Sequence, residues 1–232
     1  ADFIAEGIDQ TRGWFYTLLV LGVGLYNQSP FKNVVVNGII LAEDGQKMSK
    51  RLKNYPDPMS IIDKYGADAL RFYLLSSPAA RGESLNFSEK GVDEVYKKVV
   101  LLSLNVLRFW KQYADQMSNV KSQMSNQIQM SNVKNILDQW ILARLSQLIG
   151  EVEESLDNYE IDKACRPITE FIDDLSTWYL RRSRDRFKDA DKLEIVVMNL
   201  GYVLKELSKV IAPICPFLAE YVYQQVTKRE PE

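Results

Sequence analysis

The sequence predicts a mixed α/β fold that becomes entirely helical after residue 86. Before that point, short apolar and β-branched runs alternate with one stretch of helical spacing. After it, apolar residues recur only at the helical period, and 46% of the 232 residues are hydrophobic, which is enough for an ordinary core. We therefore expect part of a parallel α/β sheet in residues 1–86 and an antiparallel helical bundle in residues 87–232.

Strand and helix signals alternate in the first part. Residues 3–5 are a short apolar run and are expected to form a buried strand. Residues 10–26 carry apolar side chains every three or four positions, which predicts a helix, with Asp9 placed to cap its first turn. Residues 34–41 are apolar and β-branched almost throughout, as in a central strand covered on both faces. Strand, crossover helix and strand make one βαβ unit.

Helices are predicted for most of the remaining chain. A polar loop over residues 42–57 leads to Asp57 and Pro58, which favour the start of a helix that ends near Gly66. A second helix follows directly, and four apolar stripes after residue 86 predict the bundle. Met-Ser-Asn recurs from positions 117, 124 and 130, so residues 116–135 are interpreted as a polar connector.

Composition excludes several kinds of chemistry. The absence of histidine excludes Ser-His-Asp and Cys-His nucleophilic sites. Cys165 and Cys215 are too few and too far apart for a zinc cluster or a disulfide framework, and they fit a reducing cytosol. The net charge of −2 gives no global attraction to nucleic acid, and no apolar run is long enough to span a bilayer. The first residues read as a cut through a longer protein.

The loop after residue 41 carries three cations in five residues. Lys47, Ser49, Lys50 and Arg51 follow an apolar strand directly, and ligands of open α/β sheets collect at the carboxyl ends of the strands. Flexible lysines there can follow the charge that builds on a polyphosphate under attack, while the serine hydroxyl adds a hydrogen bond. A merely solvated lysine-rich loop is the alternative interpretation.

Several segments resemble one enzyme family. Lys-Met-Ser-Lys-Arg at residues 47–51 is similar to the KMSKS signature of class I aminoacyl-tRNA synthetases. Residues 6–15, EGIDQTRGWF, resemble the isoleucyl version of the family's preceding strand-to-helix turn, and residues 66–71, GADALR, resemble the helix after the signature loop in the Ile, Val, Leu and Met subgroup. Two later segments are similar to parts of the subgroup's anticodon-binding domain, residues 135–145 and 212–220.

The resemblance implies a domain organisation and a set of site residues. Residues 1–86 would be the C-terminal part of a Rossmann-like class I catalytic domain with its stem-contact helices, and residues 87–232 a helical anticodon-binding domain. Lys47 and Lys50 would act in catalysis, and Trp14 would line the amino-acid pocket. The residues implied to bind ATP or the aminoacyl-adenylate are Glu6, Gly7, Asp9, Gln10, Gly38 and Ser49.

Some of these roles have structural alternatives. In the family motif, Glu6 would contact the adenylate, while Asp9 and Gln10 would hold the ribose. Asp9 would otherwise only cap a helix, and Trp14 would only belong to the core.

A local basic patch near the end of the third bundle helix consists of four arginines: Arg181, Arg182, Arg184 and Arg186. They can span the phosphates of a tRNA, and neighbouring aromatic side chains can stack on bases. They can equally form structural ion pairs with the nearby carboxylates of Asp173, Asp174 and Asp185. The sequence leaves both interpretations open.

The chain departs from the family pattern in three ways. Arg51 replaces the last serine of the signature and keeps a positive charge there. The family's His-x-Gly-His motif is missing because the chain has no histidine, and the inserted editing domain is missing too. Half of an active site would be present, so we expect this chain alone not to aminoacylate.

The function implied by the resemblance is the ATP-dependent formation of isoleucyl-adenylate and its transfer to tRNA(Ile) in the cytoplasm. Mg²⁺ would accompany ATP as part of the substrate, and no protein-bound metal is expected. The implied partners are isoleucine, ATP, tRNA(Ile) and the missing N-terminal half of the same enzyme, and no membrane. Two alternatives remain: another enzyme of the subgroup, such as the valyl one, and a non-catalytic tRNA-binding module.

Overall fold

A computed structural model of the chain describes residues 1–49, 51, 54–117 and 134–227. Within these ranges the molecule is mostly helical and carries two small parallel sheets. Lys50 and most of the predicted connector, residues 118–133, lie outside the described residues.

The first sheet is a parallel pair whose strands are joined through one helix. Strand β1 (Phe3–Gly7) pairs with β2 (Asn33–Asn37), in register from the first residue of each strand to the last. A 3₁₀ turn (Ile8–Arg12) and helix α1 (Trp14–Tyr26) connect them. The predicted order of strand, helix and strand is therefore present, because a parallel pair requires such a crossover.

The predicted second strand is split in two. It stops at the end of β2, and after two residues β3 (Ile40–Leu41) begins, which pairs in parallel with β4 (Leu85–Asn86) in the second sheet. The prediction of one continuous strand over residues 34–41 is wrong, because the chain turns aside at Gly38. Its amide donates to the carbonyl oxygen of Ala79 at 2.8 Å instead of to a neighbouring strand.

Helix α1 and strand β2 leave apolar side chains exposed. Phe15 and Gly22 of α1 are buried, whereas Leu21 is 53% and Leu25 is 71% exposed. Val34 of β2 is 41% exposed, so the expected cover on both faces of this strand is not found within the part of the chain that the structure describes. A helix that is hydrophobic all round is typical of a buried helix, so α1 requires cover on more than one face.

A smaller core lies under the loop that follows β3. Helix α2 (Pro58–Tyr65) starts as predicted, with the Asp57 carboxylate accepting the Met59 amide at 3.2 Å. Helix α3 (Ala67–Leu75) follows after Gly66, whose φ of 82° favours glycine. The buried side chains of this core come from α2, α3 and the segment after β4: Ile61, Tyr65, Ala69, Phe87 and Val92.

The rest of the described chain is helical and encloses the main core. Its helices are α4 (Glu89–Val95), α5 (Leu102–Ala114), α6 (Ile136–Asp157), α7 (Ile161–Asp173), α8 (Leu180–Ser183), α9 (Ala190–Ile211) and α10 (Pro216–Thr227). One π-helical turn (Tyr96–Leu101) joins α4 to α5, and another (Asp174–Tyr179) joins α7 to α8. A 3₁₀ turn (Arg184–Lys188) follows α8. In the main core, Trp110 donates to the carbonyl oxygen of Val197 at 2.9 Å.

Helix α3 docks on the corner between α9 and α10 through polar side chains. The Asp68 carboxylate accepts the Leu218 amide at 2.5 Å, and Arg71 donates to two carbonyl oxygens of the corner at 3.1 and 3.3 Å. Burial raises the pKa of Asp68, and the hydrogen bond from Leu218 opposes this rise. Two segments that carry the family resemblance, residues 66–71 and 212–220, are thus in direct contact.

A buried ion pair ties the start of α6 to the turn after α8. Arg186 donates to both carboxylate oxygens of Asp138, at 2.8 and 2.5 Å, and the Tyr179 hydroxyl donates to the same carboxylate at 2.7 Å. The Asp138 side chain is fully buried. Burial would lower the pKa of Arg186, but the hydrogen bonds and charge of Asp138 outweigh it and raise that pKa. Burial, followed by Asp138, raises the pKa of Tyr179 well above its usual value, so the phenol remains a donor.

Asp138→Ala should lower the free energy of unfolding of the chain by about 3–5 kcal/mol, because it leaves the buried Arg186 charge unpaired and removes the acceptor of Tyr179. Urea denaturation followed by circular dichroism measures the loss. As a control, Asp185, whose side chain is 98% exposed and 3.9 Å from Lys188, is changed to Ala. That change should cost less than about 1 kcal/mol. Equal losses in the two variants would contradict the structural role of the pair.

Candidate functional site

The turn after β1 is organised around the side chains of Asp9 and Gln10. The Gln10 amide group donates to the Asp9 carboxylate at 3.0 Å, and its oxygen accepts the Trp14 amide at 3.0 Å. The prediction that Asp9 caps the helix is therefore wrong, because Gln10 bonds the first helical amide. The Asp9 carboxylate lies against Gly7, where a Cβ would come within 2.6 Å of Oδ1. Because glycine has no Cβ, the Asp9 carboxylate can lie directly beside the last residue of β1.

Glu6 and Trp14 lie on either side of this turn. Glu6 is exposed near the end of β1. The Trp14 side chain is 46% exposed, and its ring centroid is 5.8 Å from that of Phe15. The alternative that Trp14 is a core residue is thus wrong for the described structure. Its assignment to an amino-acid pocket stays a prediction.

The carboxyl ends of β1 and β2 lie side by side. Gly7 pairs with Asn37, so the turn that carries Asp9 and Gln10 begins beside the point where the chain leaves β2. From Asn37 to Ala42, where the lysine loop begins, the chain advances five residues, a path of at most about 18 Å. This short path supports the expectation that the turn and the loop serve one site.

Gly38 is the point where the chain crosses residues 79–83. Its amide is engaged by Ala79, and a Cβ at this position would lie 1.6 Å from the carbonyl oxygen of Glu83. No side chain fits into that space. The crossing accounts for the glycine, whereas contact of this backbone with an adenine stays a prediction.

The lysine loop begins with a tight hairpin. The Ala42 amide donates to the Gln46 carbonyl at 2.8 Å, and the Gly45 amide donates back to Ala42 at 2.9 Å. Gly45 has a φ of 79°, which glycine adopts without strain. An antiparallel bridge between Leu41 and Lys47 closes the hairpin. Lys47 is the last residue of the hairpin, and its side chain is exposed.

Residues 48 and 49, which follow the hairpin, are held in place by one apolar contact and by the side chain of an asparagine. Met48 packs against the smaller core. The Asn54 side chain accepts the Ser49 amide at 2.9 Å and donates to the Lys47 carbonyl at 3.2 Å. Asn54 is not among the residues predicted from the sequence, although asparagine side chains commonly bond the backbone of turns. Lys50, the second lysine implied in catalysis, lies outside the described residues.

Three of the four predicted arginines are exposed, and one of them contacts an exposed tryptophan. Arg181, Arg182 and Arg184 are exposed. The guanidinium carbon of Arg182 lies 3.9 Å from the ring centroid of Trp178, which is 45% exposed. This is a cation–π contact, and it holds the guanidinium on the ring face. We call Trp178, Arg181, Arg182 and Arg184 the arginine–tryptophan surface.

Arg186 does not belong to this surface. Its guanidinium is paired with Asp138, and only 12% of the side chain is exposed. For Arg186 the question that the sequence left open is decided in favour of ion pairing, with a partner other than the three nearby carboxylates. Tyr179 and Phe187 are buried, so the expectation that these neighbouring rings can stack on bases is wrong.

In the described part of the chain, acidic and sulfur-containing side chains form neither a metal cluster nor a disulfide. Within the described ranges, no three His, Cys, Asp or Glu side chains are grouped so that they could hold a metal ion. Cys165 and Cys215 are buried and not disulfide-bonded, and burial raises the pKa of Cys165 to about 12. None of the described helices has both the length and the apolar character needed to cross a membrane.

Two family models match the chain. The model described as "tRNA synthetases class I (I, L, M and V)" matches residues 1–88, and the model described as "Anticodon-binding domain of tRNA ligase" matches residues 138–232. The chain belongs to the class I tRNA synthetases. Both the turn after β1 and the lysine loop of this synthetase chain fall in the first match, and the arginine–tryptophan surface falls in the second.

The synthetase chain has close relatives of known name. It is 51% identical over 229 residues to the isoleucine–tRNA ligase of Chlamydia trachomatis serovar D, and 46% identical over 229 residues to that of Protochlamydia amoebophila. Each match covers 97% of this chain but only 22% of the length of the curated relative. A solved structure, the ternary complex of Agrobacterium radiobacter K84 agnB2 LeuRS with tRNA and LeuAMS, matches with a TM-score of 0.68 at 22% identity. That match covers 100% of this chain and 28% of the other, and it supports the fold alone.

Gly38→Ala should destabilise this synthetase chain by about 1–3 kcal/mol, because the added methyl group overlaps the Glu83 carbonyl and forces the backbone to move. The matched control is Gly150→Ala in α6, where an added Cβ meets no atom within 4 Å. The control should gain about 0.5–1 kcal/mol from helix propensity. Urea denaturation of both variants measures the difference. A Gly38→Ala chain as stable as the parent would contradict the crossing.

Proposed function

We propose that the chain forms the C-terminal part of the catalytic domain and the anticodon-binding domain of an isoleucine–tRNA ligase. The full-length enzyme would join isoleucine to ATP, release pyrophosphate, and transfer the isoleucyl group to tRNA(Ile) in the cytoplasm. The observation that carries the proposal is the 51% identity to such a ligase along 97% of the chain, which includes both the turn and the lysine loop.

In this proposal the two parallel sheets are the C-terminal part of a Rossmann-like nucleotide-binding fold, and the helices after β4 form an anticodon-binding bundle. The parallel pairing of β1 with β2 supports the first part, because such folds bind nucleotides beyond the carboxyl ends of their strands. The shared core of α5, α6, α7 and α9 supports the second.

The proposed nucleotide site lies between the turn and the lysine loop. Lys47 and Lys50 stabilise the negative charge that develops on the leaving pyrophosphate, since an ammonium group on a flexible stem can follow the moving oxygens. Asp9 accepts hydrogen bonds from the ribose, because a carboxylate is a strong acceptor for hydroxyl groups. Gln10 supports it through the hydrogen bond between the two side chains. Mg²⁺ accompanies ATP as part of the substrate.

The proposed enzyme requires its N-terminal half for activity. Helix α1 exposes a large apolar area, and relatives more than four times as long as this chain have further residues to cover it. The exposed apolar side chains of α1 are Trp14, Tyr16, Leu19, Val20, Leu21, Val23, Leu25 and Tyr26. In the family the histidine motif for ATP lies in that half, so this chain alone is inactive in the proposal.

The arginine–tryptophan surface is the proposed contact with tRNA(Ile). Three exposed guanidinium groups can neutralise phosphates, and the exposed ring of Trp178 can stack on a base. Its position within residues 138–232, which match an anticodon-binding model, supports this assignment.

Lys50→Ala and Lys47→Ala, each made in the full-length protein, should lower the rate of isoleucine-dependent ATP–pyrophosphate exchange by about a hundredfold or more, because each removes charge stabilisation from the transition state. Lys90→Ala, on the exposed surface of α4, is the control and should keep the parent rate. Exchange that depends on valine instead would identify the valyl alternative. No exchange with any amino acid would favour a non-catalytic tRNA-binding module.

Arg182→Ala combined with Arg184→Ala should weaken the binding of tRNA(Ile) to the full-length protein and reduce the slope of affinity against salt concentration by about 1–2 units, because two phosphate contacts are lost. Filter binding between 50 and 200 mM salt, about the range over which such contacts lose most of their affinity, measures both effects. Arg166→Ala, whose side chain is 84% exposed on α7, serves as the control for the loss of an exposed arginine elsewhere and should leave binding unchanged. Unchanged binding in the double variant would remove the surface from the proposal.

A further inference from the structure

We propose that Asn54 is a positioning residue of the lysine loop: its side-chain amide holds the backbone of residues 47–49 in the form that presents Lys47. This inference rests on the proposed function, because Asn54 can contribute to the reaction only if Lys47 takes part in it. The effect of the Asn54 hydrogen bonds on the backbone of residues 47–49 can be measured separately, without any reaction.

The contacts of Asn54 join the two ends of a short segment. The side-chain oxygen accepts the Ser49 amide at 2.9 Å, and the side-chain nitrogen donates to the Lys47 carbonyl at 3.2 Å. The two hydrogen bonds therefore lie on either side of Met48, whose side chain packs against the smaller core. A carboxamide provides a donor and an acceptor on two separate atoms, whereas a carboxylate only accepts and an alkyl group does neither.

Asn54 is itself held by the residues that follow it. Tyr55 and Pro56 line an apolar cavity of about 260 Å³ together with Met48. Asp57 then starts helix α2 through its capping hydrogen bond. The backbone after Asn54 thus passes through two half-buried residues into a capped helix, and the Asn54 side chain reaches from this segment to the loop.

The hairpin fixes the other side of Lys47. The bridge to Leu41 positions the backbone of Lys47 at the end of the hairpin. The Asn54 side chain donates to the carbonyl group of Lys47 and orients it. The backbone of this residue is therefore constrained from both directions while its side chain stays exposed. Such an arrangement fixes where the ammonium group starts and leaves the flexible stem to reach a phosphate. Loss of the hold should act on the rate of the chemical step, because small misplacements of a reacting group are costly.

The kinetic test uses the full-length protein and isoleucine-dependent ATP–pyrophosphate exchange. Asn54→Ala should lower kcat by about tenfold to a hundredfold while the KM for isoleucine changes by less than about twofold. Asn54→Asp, which keeps the size of the side chain but cannot donate to Lys47, should also lower kcat. Asn158→Ala is the matched control, since Asn158 also donates to a backbone carbonyl, that of Glu154 at 2.9 Å, but at the end of α6. It should keep the parent kcat.

The second test measures amide hydrogen exchange of the same proteins by mass spectrometry with residue-level fragmentation. The Ser49 amide should exchange about tenfold faster in Asn54→Ala, because its acceptor is gone, and should remain protected in Asn54→Asp, which keeps an acceptor. Asn158→Ala should leave this amide unchanged.

The outcomes separate the two proposals. Equal exchange of the Ser49 amide in the parent and Asn54→Ala overturns the hold on the backbone whatever the activity. Faster exchange with an unchanged kcat overturns the positioning role. A parent protein without isoleucine-dependent exchange overturns the proposed function and the service of Asn54 to that reaction, while the hydrogen-exchange result still decides whether Asn54 orders the loop.

Discussion

The crossing of the backbone at Gly38 fixes the arrangement of the first part of the molecule. The Glu83 carbonyl occupies the space that a side chain at this position would need, and the Gly38 amide is bonded to Ala79. The chain consequently leaves the first sheet, pairs with β4 in the second, and enters the lysine loop only after that exchange of partners. One backbone contact thus links the end of β2, the segment after α3 and the start of the loop.

Polar groups complete the connection between the first part and the helices. Asp68 and Arg71 bond the backbone of the corner between α9 and α10, so helix α3 belongs to both the loop side and the helical side of the molecule. The ion pair of Asp138 with Arg186 acts within the helical part and withdraws one arginine from the surface. Arg181, Arg182 and Arg184 stay exposed, so a polyanion can reach them.

The candidate site combines an ordered backbone with exposed functional groups. Hydrogen bonds from side chains fix the turn of Asp9 and Gln10 and the segment from Lys47 to Ser49. The charged groups of Glu6 and Lys47 nevertheless remain exposed, and so does much of helix α1. This distribution supports the proposal that another segment of the full-length protein completes the site, because an apolar surface of this size is normally covered.

The sequence by itself determined the features that depend on local chemistry. The helix start at Asp57 and Pro58, the strand–helix–strand order and the family signature at residues 47–51 all follow from neighbouring residues, and the family models agree with the last. Only the tertiary structure decided where the predicted strand splits and which carboxylate pairs with Arg186. Each of these depends on a group that local periodicity does not register: the Glu83 carbonyl lies 45 positions from Gly38, and Asp138 lies 48 positions from Arg186. A pattern of side-chain types can give the conformation of a segment, but which buried charge meets which partner is set only when distant segments pack together and exclude water.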